Sequence, residues 1–152
     1  MSRTLSFRGQ LPIGVEERIS LHTITGQTGY QITKFQILSS TPGAGDVEFI
    51  AQIYKTENVN NVNTTPDFSN NRLLGVVFYQ DKAISSSVSS LRNSSTIIFD
   101  NEIFNQDVFI NVTDAAGGTV AANYYIEMKQ MDLALDESTV ATLKDIRNAG
   151  SQ

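Results

Sequence analysis

Eight short runs in which apolar and polar residues alternate, separated by clusters of Gly, Pro, Asn, Asp and Ser, fill this chain from Thr4 to Lys129. Alternation with a period of two places successive side chains on opposite faces of an extended backbone, so each run predicts a strand. The clearest is Val47 to Tyr54. Val47, Phe49, Ala51 and Ile53 share one face and Glu48, Gln52 and Tyr54 the other, which predicts one buried and one mostly wet face. Leu5 and Phe7, Ile19 and Leu21, Phe35 and Ile37, Val108, Ile110 and Val112, and Tyr124, Ile126 and Met128 repeat the pattern, although Phe109 interrupts it. Leu73 to Tyr79 is apolar on both faces, as a central strand would be, and Ile97 to Phe99 is a short strand.

Between the strands, Thr41 to Asp46 and Asp114 to Gly118 are dense in turn-forming residues. Thr56 to Asn71 has little apolar content and predicts a loop of roughly 15 residues, a length that is often functional. The Ser-rich stretch from Ile84 to Asn93 predicts a second long connection, pinned by Val88 and Leu91. After the last strand the pattern changes kind. Asp136, Glu137, Ser138 and Thr139 place capping oxygens and negative charge at a helix start. Val140, Leu143 and Ile146 follow at a spacing of three, with Lys144, Arg147 and a terminating Gly150. A helix this short does not hold alone in water, so its apolar stripe must pack on its own sandwich, the preferred expectation, or on a neighbouring molecule.

Many short strands without an alternating strand–helix rhythm predict an all-β fold: a jelly-roll-like antiparallel β-sandwich with a short C-terminal helix. Residues 1–14 form an N-terminal arm or a first strand, 15–135 the sandwich and 136–150 the helix. Gly9, Pro12 and Gly14 break up the first segment, leaving Leu5, Phe7, Leu11 and Ile13 to dock on a partner by strand addition or to belong to the body.

Composition narrows the function. A formal net charge of −5 with eleven scattered Lys and Arg residues opposes a role in gripping nucleic acid. Cysteine is absent, so disulfides, thiolate metal sites and Cys nucleophiles are excluded together. No apolar run approaches the roughly 20 residues that span a bilayer. The opening MSRTLSFRGQLPIG lacks an apolar stretch of signal-peptide length, so the sequons at Asn63, Asn93 and Asn111 are read as chance matches.

Candidate chemistry is sparse. His22 is the only histidine and would have to serve any triad or imidazole metal site by itself; an exposed or hydrogen-bonded ring near a turn is the simpler reading. Asp100, Asn101, Glu102, Asp107 and Asp114 supply oxygens suited to Ca²⁺, but their spacing matches no EF-hand loop, and a solvated loop end with Asp100 and Asn101 in turn bonds is the preferred reading. We therefore expect no catalytic residue, no metal and no cofactor. Tyr124 and Tyr125 put one ring on each face of their strand, and Tyr54 and Tyr79 raise the same question of what an outward ring would meet: an interface or a sugar.

Three stretches together carry a resemblance: GYQITKFQIL with AQIYKT, LLGVVFYQD with STIIFDNEIFNQDVFINVTD, and NYYIEMKQMDLALDESTVATLKDIRN. They resemble small virion structural proteins of tailed phages from marine and cyanobacterial hosts, across nearly the whole chain, through structural strands rather than chemical signatures. The resemblance implies a non-enzymatic head decoration or cement protein assembled in the host cytoplasm, bound to the outer surface of the major capsid protein lattice. A homo-oligomer, with a trimer suiting threefold lattice positions, accompanies that expectation. The contact surfaces expected are Leu5, Phe7, Leu11 and Ile13 together with the loop at Pro66 and Phe68. Two alternatives stand beside it: a tail, neck or baseplate component, and a carbohydrate-binding jelly-roll module.

Overall fold

The computed structural model describes residues 3–43, 46–57, 64–82, 91–99, 102–134 and 140–144. The alternating runs become eight strands: β1 (Arg3–Leu11), β2 (Glu16–Ile19), β3 (Thr28–Ser39), β4 (Val47–Tyr54), β5 (Leu73–Lys82), β6 (Leu91–Ile98), β7 (Val108–Asp114) and β8 (Ala122–Asp132). They pair antiparallel throughout, as a three-stranded sheet in the order β1-β8-β3 and a five-stranded sheet in the order β2-β7-β4-β5-β6. The two sheets pack together as a jelly-roll-like sandwich, and a short helix, α1 (140–144), follows.

One core joins the inner faces. Phe35 and Ile37 of β3 and Ile126 and Met128 of β8 share a buried cluster with Phe49, Ala51 and Ile53 of β4, Val77 of β5 and Ile110 and Val112 of β7. Each large side chain removed from water contributes roughly 1.5–3 kcal/mol, which is what holds a sandwich without disulfides. A bulge keeps β3 in phase with this core. Its register against β8 shifts between Ile32 and Lys34, so the buried positions change from even (Tyr30, Ile32) to odd (Phe35, Ile37) without turning the strand over.

The N-terminal segment is the sandwich's first strand rather than a free arm. β1 runs beside β8 from Arg3↔Gln130 to Leu11↔Ala122. Leu11 is buried, and Leu5, Phe7 and Ile13 pack against the main core. The alternative of a docking arm is therefore set aside, because these four side chains spend their apolar surface inside their own chain. Gly14 then reverses the chain at φ 80°, a left-handed conformation that favours glycine, and its N–H donates to Val112 O at 2.8 Å.

Three further expectations need correcting. The outer face of β4 is not wet: Gln52 and Tyr54 are buried, as are Asn111 and Thr113 beside them on β7. Tyr54, Leu73 and Val76 form a second apolar cluster, with Ile50 and Phe99 against it. The β4–β5 connection closes beside this face, where Lys55 N–H donates to Arg72 O at 2.8 Å. The Ser-rich stretch is not all connection either, since β6 begins at Leu91 and pairs with β5 from Leu91↔Lys82 to Ile98↔Gly75. As an edge strand with exposed side chains from Asn93 to Ile97, it needs a backbone ladder and little apolar content.

The helix is the third. Val140 and Leu143 are 65% and 61% exposed, so its apolar residues face away from the sandwich. Polar contacts attach it instead. Asn105 Nδ2 donates to Thr142 Oγ1 at 2.7 Å, and Lys144 Nζ lies 2.8 Å from Glu102 Oε1. The expected helix start at 136–139 and its end at 145–150 lie outside the described residues.

Candidate functional site

Register across the three-stranded sheet creates the most distinctive surface. Arg8, Tyr125 and Gln36 lie opposite one another in one row across β1, β8 and β3, and Gln10, Asn123 and Leu38 form the next row on the same face. Tyr124, whose neighbours alternate with Tyr125, points inward and is buried. All of these except Gln10 line a depression of about 760 Å³, together with Gly9, Ile37, Tyr79 and Ser94. That volume lies within the range of small-molecule sites. Tyr79 and Ser94 come from β5 and β6, so both sheets contribute to it.

The tyrosines are held in different ways. Tyr79 stacks on Phe49 with ring centroids 6.0 Å apart. The Tyr124 hydroxyl donates to Glu17 Oε1 at 2.9 Å; burial first, and the Glu17 carboxylate second, push it up to about 12. Gly9 leaves room for the Tyr124 ring, since a Cβ there would lie 2.9 Å from its Cε2. Adjacent rows satisfy themselves across the sheet: Gln10 Nε2 donates to Asn123 Oδ1 at 3.1 Å, and Lys34 Nζ lies 3.5 Å from Glu127 Oε2. The row of Arg8, Tyr125 and Gln36 has no such side-chain pairing among the described residues.

The carboxylates singled out in the sequence are committed to structure. Asp107 accepts from Arg18 Nε at 2.6 Å, from the N–H groups of Leu21 and His22 at 2.8 and 2.9 Å, and from His22 Nδ1 at 2.7 Å. Burial opposes its ionisation, but the His22 backbone and ring, Leu21 and Arg18 together outweigh burial and hold the carboxyl well below the usual range. His22 is thus a hydrogen-bonded ring at a strand end. Glu102 is likewise desolvated, and Lys144 and Lys55, each hydrogen-bonded to it, hold it below its ordinary value. Asp114 Oδ1 accepts from the N–H groups of Glu48 and Ala116, pinning the turn after β7. Asp100 and Asn101 lie outside the described residues. Among the described residues, no three His, Asp or Glu side chains gather as a cation would require.

The remaining contact candidates do not form one surface. Pro66 is half-buried, and Phe68 is 54% exposed with its ring edge-on to Phe99 at 4.8 Å. They lie by the five-stranded sheet's outer cluster, whereas Leu5, Phe7, Leu11 and Ile13 point between the sheets. A different apolar group is more exposed. Ile24 is fully exposed, and its loop and α1 meet at Asn105, whose Nδ2 donates to Gly26 O at 3.0 Å and to Thr142 Oγ1. Ile24, Val140 and Leu143 are thus exposed apolar residues on two segments that meet at Asn105, and half-exposed Ile103 packs against Gly29.

Of the sequons, Asn111 is fully buried in β7 and out of reach of glycosylation in the folded chain, Asn93 is exposed on β6, and Asn63 lies outside the described residues. No protein-family model and no curated protein matches this chain.

Proposed function

We propose that the chain is a non-enzymatic virion structural protein, a decoration or cement module that binds the outer surface of a capsid lattice through its exposed apolar end. The observation that carries this reading is the exposure of Ile24, Val140 and Leu143 on two segments joined at Asn105, while polar bonds hold the helix to the body. Exposed apolar side chains on adjoining segments suit a protein–protein contact. The carboxylates and the lone histidine add support, because those described are engaged in turns and ion pairs rather than grouped for bond-making. A net charge of −5 suits an outward-facing protein, since packaged phosphate would repel it.

Lattice binding requires little of each copy. Many identical weak contacts sum by multivalency, and a homotrimer on a threefold position would multiply them further. The test is reconstitution: particles stripped of this protein are mixed with the purified chain and sedimented. The wild-type chain is expected to co-sediment, and Ile24→Asp with Leu143→Asp to remain in the supernatant. Retention of the double variant at wild-type level would overturn the assignment of this end as the contact.

A further inference from the structure

The depression over the three-stranded sheet has no part in lattice docking through the apolar end, and its chemistry is specific. Within it, Tyr125 of β8 stands between a guanidinium and an amide, Arg8 of β1 on one side and Gln36 of β3 on the other, in neighbouring strands of the sheet. A ring flanked by polar side chains suits a ligand with an apolar face and a hydroxylated edge, which describes a pyranose. Asn123 adds a second amide, and its Nδ2 remains to donate because Oδ1 accepts from Gln10. Arg8 offers one exposed cation in a chain of net charge −5, which matches a single carboxylate better than a polyphosphate. The Lys34–Glu127 pair two register positions away shows what the sheet does with charged side chains that serve structure alone.

We propose that this depression binds an acidic saccharide, its ring lying on Tyr125, its carboxylate paired with Arg8 and its hydroxyls bonded by Gln36 and Asn123. The site would give the protein a second activity, adhesion to acidic glycan, exercised from the sheet face while the apolar end is engaged elsewhere. It does not depend on the lattice reading and can fail or succeed separately. Tyr79 and Tyr124 also line the depression but are too buried to supply the platform themselves.

Titration of the full chain with hexagalacturonate, sialyllactose and maltohexaose, followed by backbone amide NMR shifts, tests this. At least one acidic probe is expected to bind saturably at millimolar concentration or below, shifting signals of β1, β8 and β3, with maltohexaose about tenfold weaker or worse. Arg8→Gln should bring the acidic probe down to the neutral one, and Tyr125→Ala should weaken both. Gln36→Ala, an exposed position that leaves the core alone, should weaken the acidic probe and serves if Tyr125→Ala does not fold. Absence of saturable binding by both acidic probes, equal affinity for maltohexaose, or binding indifferent to Arg8→Gln would each overturn the proposal.

Discussion

Asp107 draws its donors from one short stretch, Arg18, Leu21 and His22, and so fastens the end of β2 to the start of β7. Asp107→Asn keeps an acceptor but removes the charge, and a hydrogen bond to a charged group contributes about 1.5–3 kcal/mol. A loss of about 2 kcal/mol in chemical denaturation is the expected outcome. The pH dependence has a definite sign. Because the folded-state pKa of Asp107 is depressed, the unfolded chain binds the proton more readily. Its stabilisation is full above the ordinary carboxylate range and fades as pH falls through that range toward the lower folded value. Denaturation midpoints measured from pH 6 down to pH 2 should therefore fall more steeply for the wild type than for Asp107→Asn; parallel curves would contradict the assignment. The sequence marked both His22 and Asp107 but not their pairing, since 85 positions separate them and no local pattern encodes a tertiary bond.

At the scale of elements, alternation was legible and its interruptions were informative. The buried parity of β3 changes across Thr33, and only an extra residue in the strand lets Tyr30, Ile32, Phe35 and Ile37 all face inward. Deleting Thr33 would remove that extra residue and restore plain alternation, leaving Tyr30, Ile32, Phe35 and Ile37 inward on a regular ladder with β8. We therefore expect the deletion variant to keep a cooperative thermal transition, and its loss would contradict the assignment of Thr33 as the extra residue. The edge strand β6 was illegible over Leu91 to Ser95, because polar side chains on an edge carry no periodic signal even where the backbone pairs fully. The wet face assigned to β4 failed for another reason: burial of Gln52 and Tyr54 depends on what the β4–β5 connection and the neighbouring strands place over them. The helix shows the same limit, as its spacing revealed a stripe but not which side would meet the body. Thr142→Val combined with Lys144→Ala removes its observed polar attachments. Amide exchange in α1 should then accelerate about tenfold or more while the melting temperature of the sandwich changes little.

For the whole molecule, the two-sheet class followed from short alternating strands, yet the division into three and five strands did not. Pairing β1 with β8 joins opposite ends of the chain, and that choice is made by packing. The depression is a product of the same pairing: Arg8, Gln36 and Tyr125 come from three strands, and of these only Tyr125 stood out in sequence. Asp107 and Glu102 are tied up in internal ion pairs, whereas Arg8, Ile24 and Leu143 stand exposed. Ile24→Asp and Leu143→Asp alter exposed positions and should each shift folding stability by no more than about 0.5 kcal/mol, checked by denaturation, while abolishing lattice contact. The most direct measurement is quantitative mass spectrometry of this chain against the major capsid protein in purified virions. Hundreds of copies per particle, in fixed ratio to the lattice, is the predicted result; a dozen copies or fewer, or none, would contradict it.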